Sequence, residues 1–289
     1  MQTVPHDHVQ GRIAYTSDIG GTFDIWLYRP LEGQIFQLSK GLGAEFSVPY
    51  WSSDNRRIAF IGNGNVVNLL DTVTLAVARI DQIEPYTLLN WSPDSRYLAY
   101  VKNAQITVYD TFTHFSYAIH EPGASDVQWF PSGKELLFAA PDFSGNTQLF
   151  RVRADGTERR QITQNTDGPL HDIRISPDGT FALYTYPGVS ISIISTMNLA
   201  TGTIYTLEGG PQAKNYFPVW SPDSGASPTA QPPIKSRTII HLFKLIAAPV
   251  RIKKHWHLPI VSLLPSAGLQ MVRKLLFYRV VKVQEVQIS

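Results

Sequence analysis

A chain of 289 residues with 43% apolar and 11% aromatic content can bury a large core, and its length admits one big β domain or two ordinary ones. No cysteine is present, which excludes disulfides, thiolate metal sites and a cysteine nucleophile, and leaves the compartment open. The net charge of +2 conceals a division at Ser224: residues 225–289 carry ten Lys/Arg against one acid, Glu285, for +9, whereas residues 1–224 carry fifteen bases and twenty-two acids, for −7.

Residues 1–10 form an N-terminal arm, and Met1 to His8 shows neither the basic nor the apolar run of a signal peptide. His6 and His8 flank Asp7 there, either a metal-binding pair or simply a terminal tip. Strand-like segments begin at Arg12–Tyr15 and continue through Asp24–Tyr28 and Phe36–Leu38. One unit then recurs five times: Tyr50-Trp51-Ser52-Ser53-Asp54, Asn90-Trp91-Ser92-Pro93-Asp94, Gln128-Trp129-Phe130-Pro131-Ser132, Arg174-Ile175-Ser176-Pro177-Asp178 and Val219-Trp220-Ser221-Pro222-Asp223. Four of the five are followed at a fixed offset by an apolar β-prone triplet, starting at Ile58, Leu98, Leu136 and Ala182; the fifth is not.

The unit reads as strand, tight turn, strand. Ser hydrogen-bonds back to the turn backbone, Pro presets φ, Asp tolerates the second central position, and Gly or Ser ends the turn. A third strand (Val66–Leu70, Ile106–Tyr109, Gln148–Val152, Ser192–Ser195) and a fourth (Ala78–Ile80, Tyr117–Ile119, Arg160–Ile162, Ile204–Leu207) complete each unit. Four strands in about forty residues is the period of a β-propeller blade. The anchors Trp51, Trp91, Trp129 and Trp220 are assigned to core packing, and Asp54, Pro93, Asp94, Pro131, Pro177, Asp178, Pro222 and Asp223 to the turns. The chain opens on a second strand, so the anchor strand Tyr216–Trp220 is free to complete the first blade and close a five-bladed ring.

The W-S-P-D-G unit, with Ser17 to Trp26 as a later strand and Gln161-Ile162-Thr163 as a closing one, resembles the TolB-type propeller repeat, a relative of the Trp-Asp repeat families. The resemblance spans residues 11–224 and departs from the pattern at Ser53, Phe130, Ser132 and Ile175. It implies an all-β propeller, more often of six blades, one then being missing or damaged here. It also implies a periplasmic, secreted or cell-envelope bacterial protein that binds a protein partner or a small ligand at a propeller face or in its channel.

No catalytic or cofactor motif is found. Gly188-Val189-Ser190-Ile191-Ser192 lacks the second glycine of a nucleophile elbow, and there is no Walker loop, dinucleotide fingerprint or H-E-x-x-H. The expectation is a non-enzyme with no cofactor and no metal. His171, before Asp172 on an inner strand, is the candidate channel ligand, set against an ordinary solvated histidine; His114 and His120 fall on outer strands. Asp18, Asp24, Asp142 and Asp155 read as turn formers. The alternative function is the gating propeller of a prolyl-oligopeptidase-like peptidase without its catalytic domain.

Residues 225–289 form a non-repeat basic tail, with His255 and His257 flanking Trp256. Its apolar runs are too short to span a bilayer, although basic residues among apolar ones suit an anionic membrane surface; no nucleic-acid partner is expected. Ala226 to Gln231 stand where every intact unit has its triplet. If they are encoded GCA TCG CCT ACA GCC CAA, reading from the last base of the first codon gives Ile-Ala-Tyr-Ser-Pro, the missing triplet. The tail is therefore read as out of frame or disordered, against a genuine basic extension.

Overall fold

The computed structural model describes residues 11–29, 32–45, 47–85, 87–166, 168–187, 192–207, 219–220, 239–240 and 261–263. The arm 1–10, Pro222, Asp223, His255, His257 and most of residues 225–289 lie outside them. Among the described residues the chain is all-β, with one 3-10 turn at Asn63–Asn65 as its only helical element.

Contacts divide the protein into two compact units. The first comprises residues 1–51, 55–82 and 245–289. Its first blade contains β1 (Ile13–Ser17), β2 (Asp24–Arg29) and β3 (Gln34–Gln37), and its second β4 (Tyr50–Trp51), β5 (Arg57–Ile61), β6 (Val66–Asp71) and β7 (Val77–Gln82). The second unit, residues 52–54 and 83–244, holds three more blades. These are β8 (Asn90–Trp91), β9 (Tyr97–Lys102), β10 (Gln105–Asp110) and β11 (Ser116–Ile119), then β12 (Asp126–Trp129), β13 (Glu135–Pro141), β14 (Thr147–Arg153) and β15 (Arg160–Gln161), then β16 (His171–Ile175), β17 (Phe181–Pro187), β18 (Ser192–Asn198) and β19 (Ile204–Leu207). Each of the three is a four-stranded antiparallel meander in chain order. A two-stranded sheet of β20 (Val219–Trp220) and β21 (Ile239–Ile240) follows, and β22 (Val261–Leu263) is the fourth strand of the first blade.

The blades form where the repeat predicts them because turn and register agree. Trp51 pairs with Ile58, Trp91 with Leu98, Trp129 with Leu136 and Ile175 with Ala182, always seven residues on. In the intervening turn the Ser hydroxyl donates to the Asp carboxylate, at 2.5 Å for Ser52–Asp54, Ser92–Asp94 and Ser176–Asp178. The same Ser oxygen accepts the amide that opens the next strand, Tyr97 at 2.8 Å and Phe181 at 2.9 Å. The turn closes in the left-handed region, at Asn55 (φ 59°), Ser95 (φ 63°), Gly133 (φ 68°) and Gly179 (φ 75°), a conformation that favours Gly and Asn. Successive turns of the second unit also nest. A Cβ on Gly133 would stand 3.6 Å from the ring of Pro93, and one on Gly179 would stand 3.3 Å from that of Pro131.

Side chains facing neighbouring blades form the cores. In the first unit Ala14, Ile25, Leu27 and Leu38 of one blade bury Trp51, Ile58, Phe60 and Leu70 of the next. In the second unit Ile106, Val108, Trp129, Phe138 and Phe150 form one layer, and Phe130, Leu137, Leu170, Ile173 and Tyr184 another. Both faces of the β12–β15 blade are thus covered, which is why its strands are apolar without clean alternation.

Of the anchor strand Tyr216–Trp220 only Val219 and Trp220 are described, and they do not pair with β1. Trp220 instead continues the second unit: its indole N–H donates to the Arg174 carbonyl at 3.2 Å, its ring meets Phe181, and it packs on Leu183 and Ile194. The place beside β1 goes to β22, with Ala14 opposite Ser262. β20 pairs with β21, so that Trp220 stands opposite Ile239 rather than a residue seven positions on. If the tail is out of frame, the nucleotide sequence around codon 226 will encode Ile-Ala-Tyr in the alternative frame; a stop or an unrelated triplet there refutes the idea.

Candidate functional site

An innermost strand has one edge with no strand beside it, and its unpaired amides need acceptors from elsewhere. In the second unit β8, β12 and β16 hold that position. Side chains of the preceding blade supply the acceptors. Asn90 Oδ1 accepts the Trp129 amide at 2.8 Å, while Asn90 Nδ2 donates to Gln128 Oε1, also at 2.8 Å. One blade on, Asp126 Oδ2 accepts the Ile173 amide at 2.9 Å.

Asp126 is the anomalous member of this edge. It is only 7% exposed, and its Oδ1 is buried without a hydrogen-bond partner among the described residues. Burial pushes its carboxyl up to about 6; Asp172 adds to the rise, against the pull of Arg174 and the amides of Ile173 and Val127. The facing strand is irregular. The pairing of β16 with β17 slips between His171 and Arg174, and Asp172 sits at φ 52°, a left-handed conformation uncommon for a residue with a side chain. Thr185 Oγ1 lies 3.3 Å from both the His171 carbonyl and Asp172 Oδ2, pinning the bulge. The extra residue sends Ile173 into the core and leaves His171 exposed, with Asp172 and Arg174 half-buried. Arg174 Nη1 donates to the Ile173 carbonyl at 2.7 Å. A bulge, a left-handed non-glycine residue and a buried carboxyl oxygen with no hydrogen-bond partner among the described residues thus come together at one place.

His171 therefore lies on an innermost strand, as the repeat register implies. His114 lies at the β10–β11 hairpin, 3.0 Å from the Tyr109 hydroxyl, and exposed His120 just follows β11. Asp142 and Asp155 are turn formers, accepting the amides of Ser144 and Asn146 and of Thr157. Asp24, also read as a turn former, is different. It is fully buried and accepts from Thr22, Gln37 and Ser39 side chains and from the Gly41 and Leu42 amides. Sequence reasoning missed Asp126 and Asn90, since nothing local distinguishes a cap that acts on the next blade. Their one signal was polarity on a strand otherwise buried.

Among the described residues no three His, Asp or Glu side chains converge as a metal site would require. Asp126→Asn is expected to stabilise the protein at pH 7 by roughly 1–3 kcal/mol. The amide keeps the acceptor for Ile173 and removes a charge that burial disfavours. A carboxyl whose folded pKa is raised contributes its stability below the unfolded value near 3.8 and loses it as pH rises through about 6. The gain should therefore vanish below pH 4; urea titrations at pH 4 and pH 7 showing equal midpoint shifts would contradict this.

No family model matches the sequence. No curated protein matches it either. Solved structures do match in fold. TolB from Acinetobacter baumannii aligns with a TM-score of 0.57 at 20% identity, over 74% of this chain and 56% of that one. Oligogalacturonate lyase from Vibrio parahaemolyticus gives 0.53 at 17%, over 67% and 61%, and a structure titled a nidogen/laminin complex gives 0.52 at 11%, over 69% and 79%. The chain thus spans about six-tenths of the length of the first two. At such identities the likeness establishes the fold, a β-propeller, and nothing finer.

Proposed function

We infer that the chain is a non-catalytic, TolB-type propeller of the bacterial cell envelope, acting as a scaffold that binds a protein partner or ligand. The observation that carries this reading is the inner-strand edge of the second unit. Polar groups of Asp126, His171, Asp172 and Arg174 are gathered there on strands fixed by nested turns and side-chain caps. Rigid presentation of a few polar groups is what a recognition surface needs. TolB and the nidogen of the laminin complex share the fold. The likeness to oligogalacturonate lyase keeps an enzymatic reading in view, as does the peptidase-gating alternative.

The test is site-directed photo-crosslinking. With a photoreactive residue in place of His171, the full chain is expected to capture a discrete envelope component, and Asp172→Ala combined with Arg174→Ala to abolish capture. Cleavage of oligogalacturonate or of proline-containing peptides by the purified chain would overturn the non-catalytic reading, and absence of any discrete adduct would overturn the scaffold reading.

A further inference from the structure

We propose that the edge between β12 and β16 is a binding site for a cationic N–H group, a primary ammonium or a guanidinium presented by the partner, with Asp126 and Asp172 as its anionic contacts. The proposal rests on the scaffold reading and specifies what that surface recognises.

Asn90 and Asp126 do the same structural work. Each caps an edge amide of the next blade, at 2.8 and 2.9 Å. The asparagine does so at no electrostatic cost, because its other polar atom is satisfied by Gln128. The aspartate leaves Oδ1 buried without a hydrogen-bond partner among the described residues and sets a charge beside a second carboxylate, Asp172. Capping alone needs one acceptor, which an amide supplies. The additional charge and the additional acceptor are useful only to a group that brings positive charge and an N–H.

Local charge agrees. Among the described residues the charged groups that bear on Asp126 are Asp172 and Arg174, both from β16; Gln128 of β12, Ala139 of β13 and Thr185 of β17 carry no charge. Two carboxylates meet one guanidinium, and that guanidinium already gives Nη1 to a backbone carbonyl. The balance is one negative charge, suited to one cationic group. The bulge supplies the geometry, because it turns Asp172 out of the pleat at a backbone conformation with φ 52°. A hydrogen-bonding cation is favoured over a bare metal ion, since the described residues bring no third His, Asp or Glu ligand.

The experiment is a nuclear magnetic resonance titration of the isotope-labelled full chain with n-butylammonium and with n-butylguanidinium at pH 7.5, following the Ile173 amide and the Asp126 carboxyl carbon. At least one probe is expected to shift both saturably, whereas tetramethylammonium, which has no N–H, leaves them unmoved. The two probes distinguish a lysine-like from an arginine-like source. Asp126→Asn and Asp172→Asn should each weaken binding at least fivefold, and lowering the pH from 7.5 to 5 should weaken it about tenfold as Asp126 takes up a proton. If Asp126→Asn does not fold, the Asp172→Asn result and the pH series decide. No saturable shift, an equal response to tetramethylammonium, a response to magnesium alone, or full binding by Asp172→Asn overturns the proposal. Should crosslinking at His171 succeed while both probes fail, the scaffold stands and the cationic specificity falls; if crosslinking also fails, so does the scaffold.

Discussion

Asp24→Ala is expected to cost about 3–5 kcal/mol and to unravel the first blade before the rest of its unit. The carboxylate joins β2 to the segment after β3 by accepting from Thr22 at 2.7 Å, Gln37 at 3.2 Å, Ser39 at 2.7 Å, and the Gly41 and Leu42 amides at 2.9 and 3.3 Å. Alanine would leave these donors facing a cavity, the most expensive kind of unsatisfied polar group. Asparagine should rescue little, because its NH2 would confront donors. Burial by itself raises the Asp24 carboxyl, but the bonds from Gly41, Ser39, Thr22 and Leu42 outweigh it and hold it below its ordinary value of 3.8. Its folded pKa being depressed, the stabilisation is full above 3.8 and is lost as pH falls below it. A urea titration showing a loss under about 1 kcal/mol would mean that the hub is not formed.

Trp129→Ala should destabilise by roughly 3–5 kcal/mol, and Trp91→Ala by a similar amount, as large-to-small changes at buried sites. Trp129 stacks on Tyr97 of the preceding blade at 6.0 Å between centroids and belongs to a layer that includes Val108, Phe138 and Phe150. Its loss removes the contact that seats one blade on the next, so unfolding should stay cooperative within the unit and shift to lower denaturant. Trp220→Ala should cost less, because Trp220 is only half-buried. Equal losses at Trp129 and Trp220 would indicate that neither depends on the layer described.

The position of nearly every strand was legible in the sequence, because blade formation is local. A Ser-x-Asp turn, an anchor one strand before it and an apolar triplet after it lie within a dozen residues, and they fix the register without reference to the rest of the chain. That His171 falls on an innermost strand was legible for the same reason, by its place just ahead of an anchor position. What Trp220 would pair with was not. Its triplet is absent, so the partner had to come from elsewhere, and Ile239 took it.

Asp24 and Asp126 were equally opaque. Both are short acids near strand starts, and one became a hub of five donors while the other became a cap with an idle oxygen. That difference arises from residues some fifteen positions away in one case and a whole blade away in the other. Local sequence decides where the backbone hydrogen-bonds to itself; only the packing of blade on blade decides which carboxylates are dehydrated, what they meet there, and so what charge they keep.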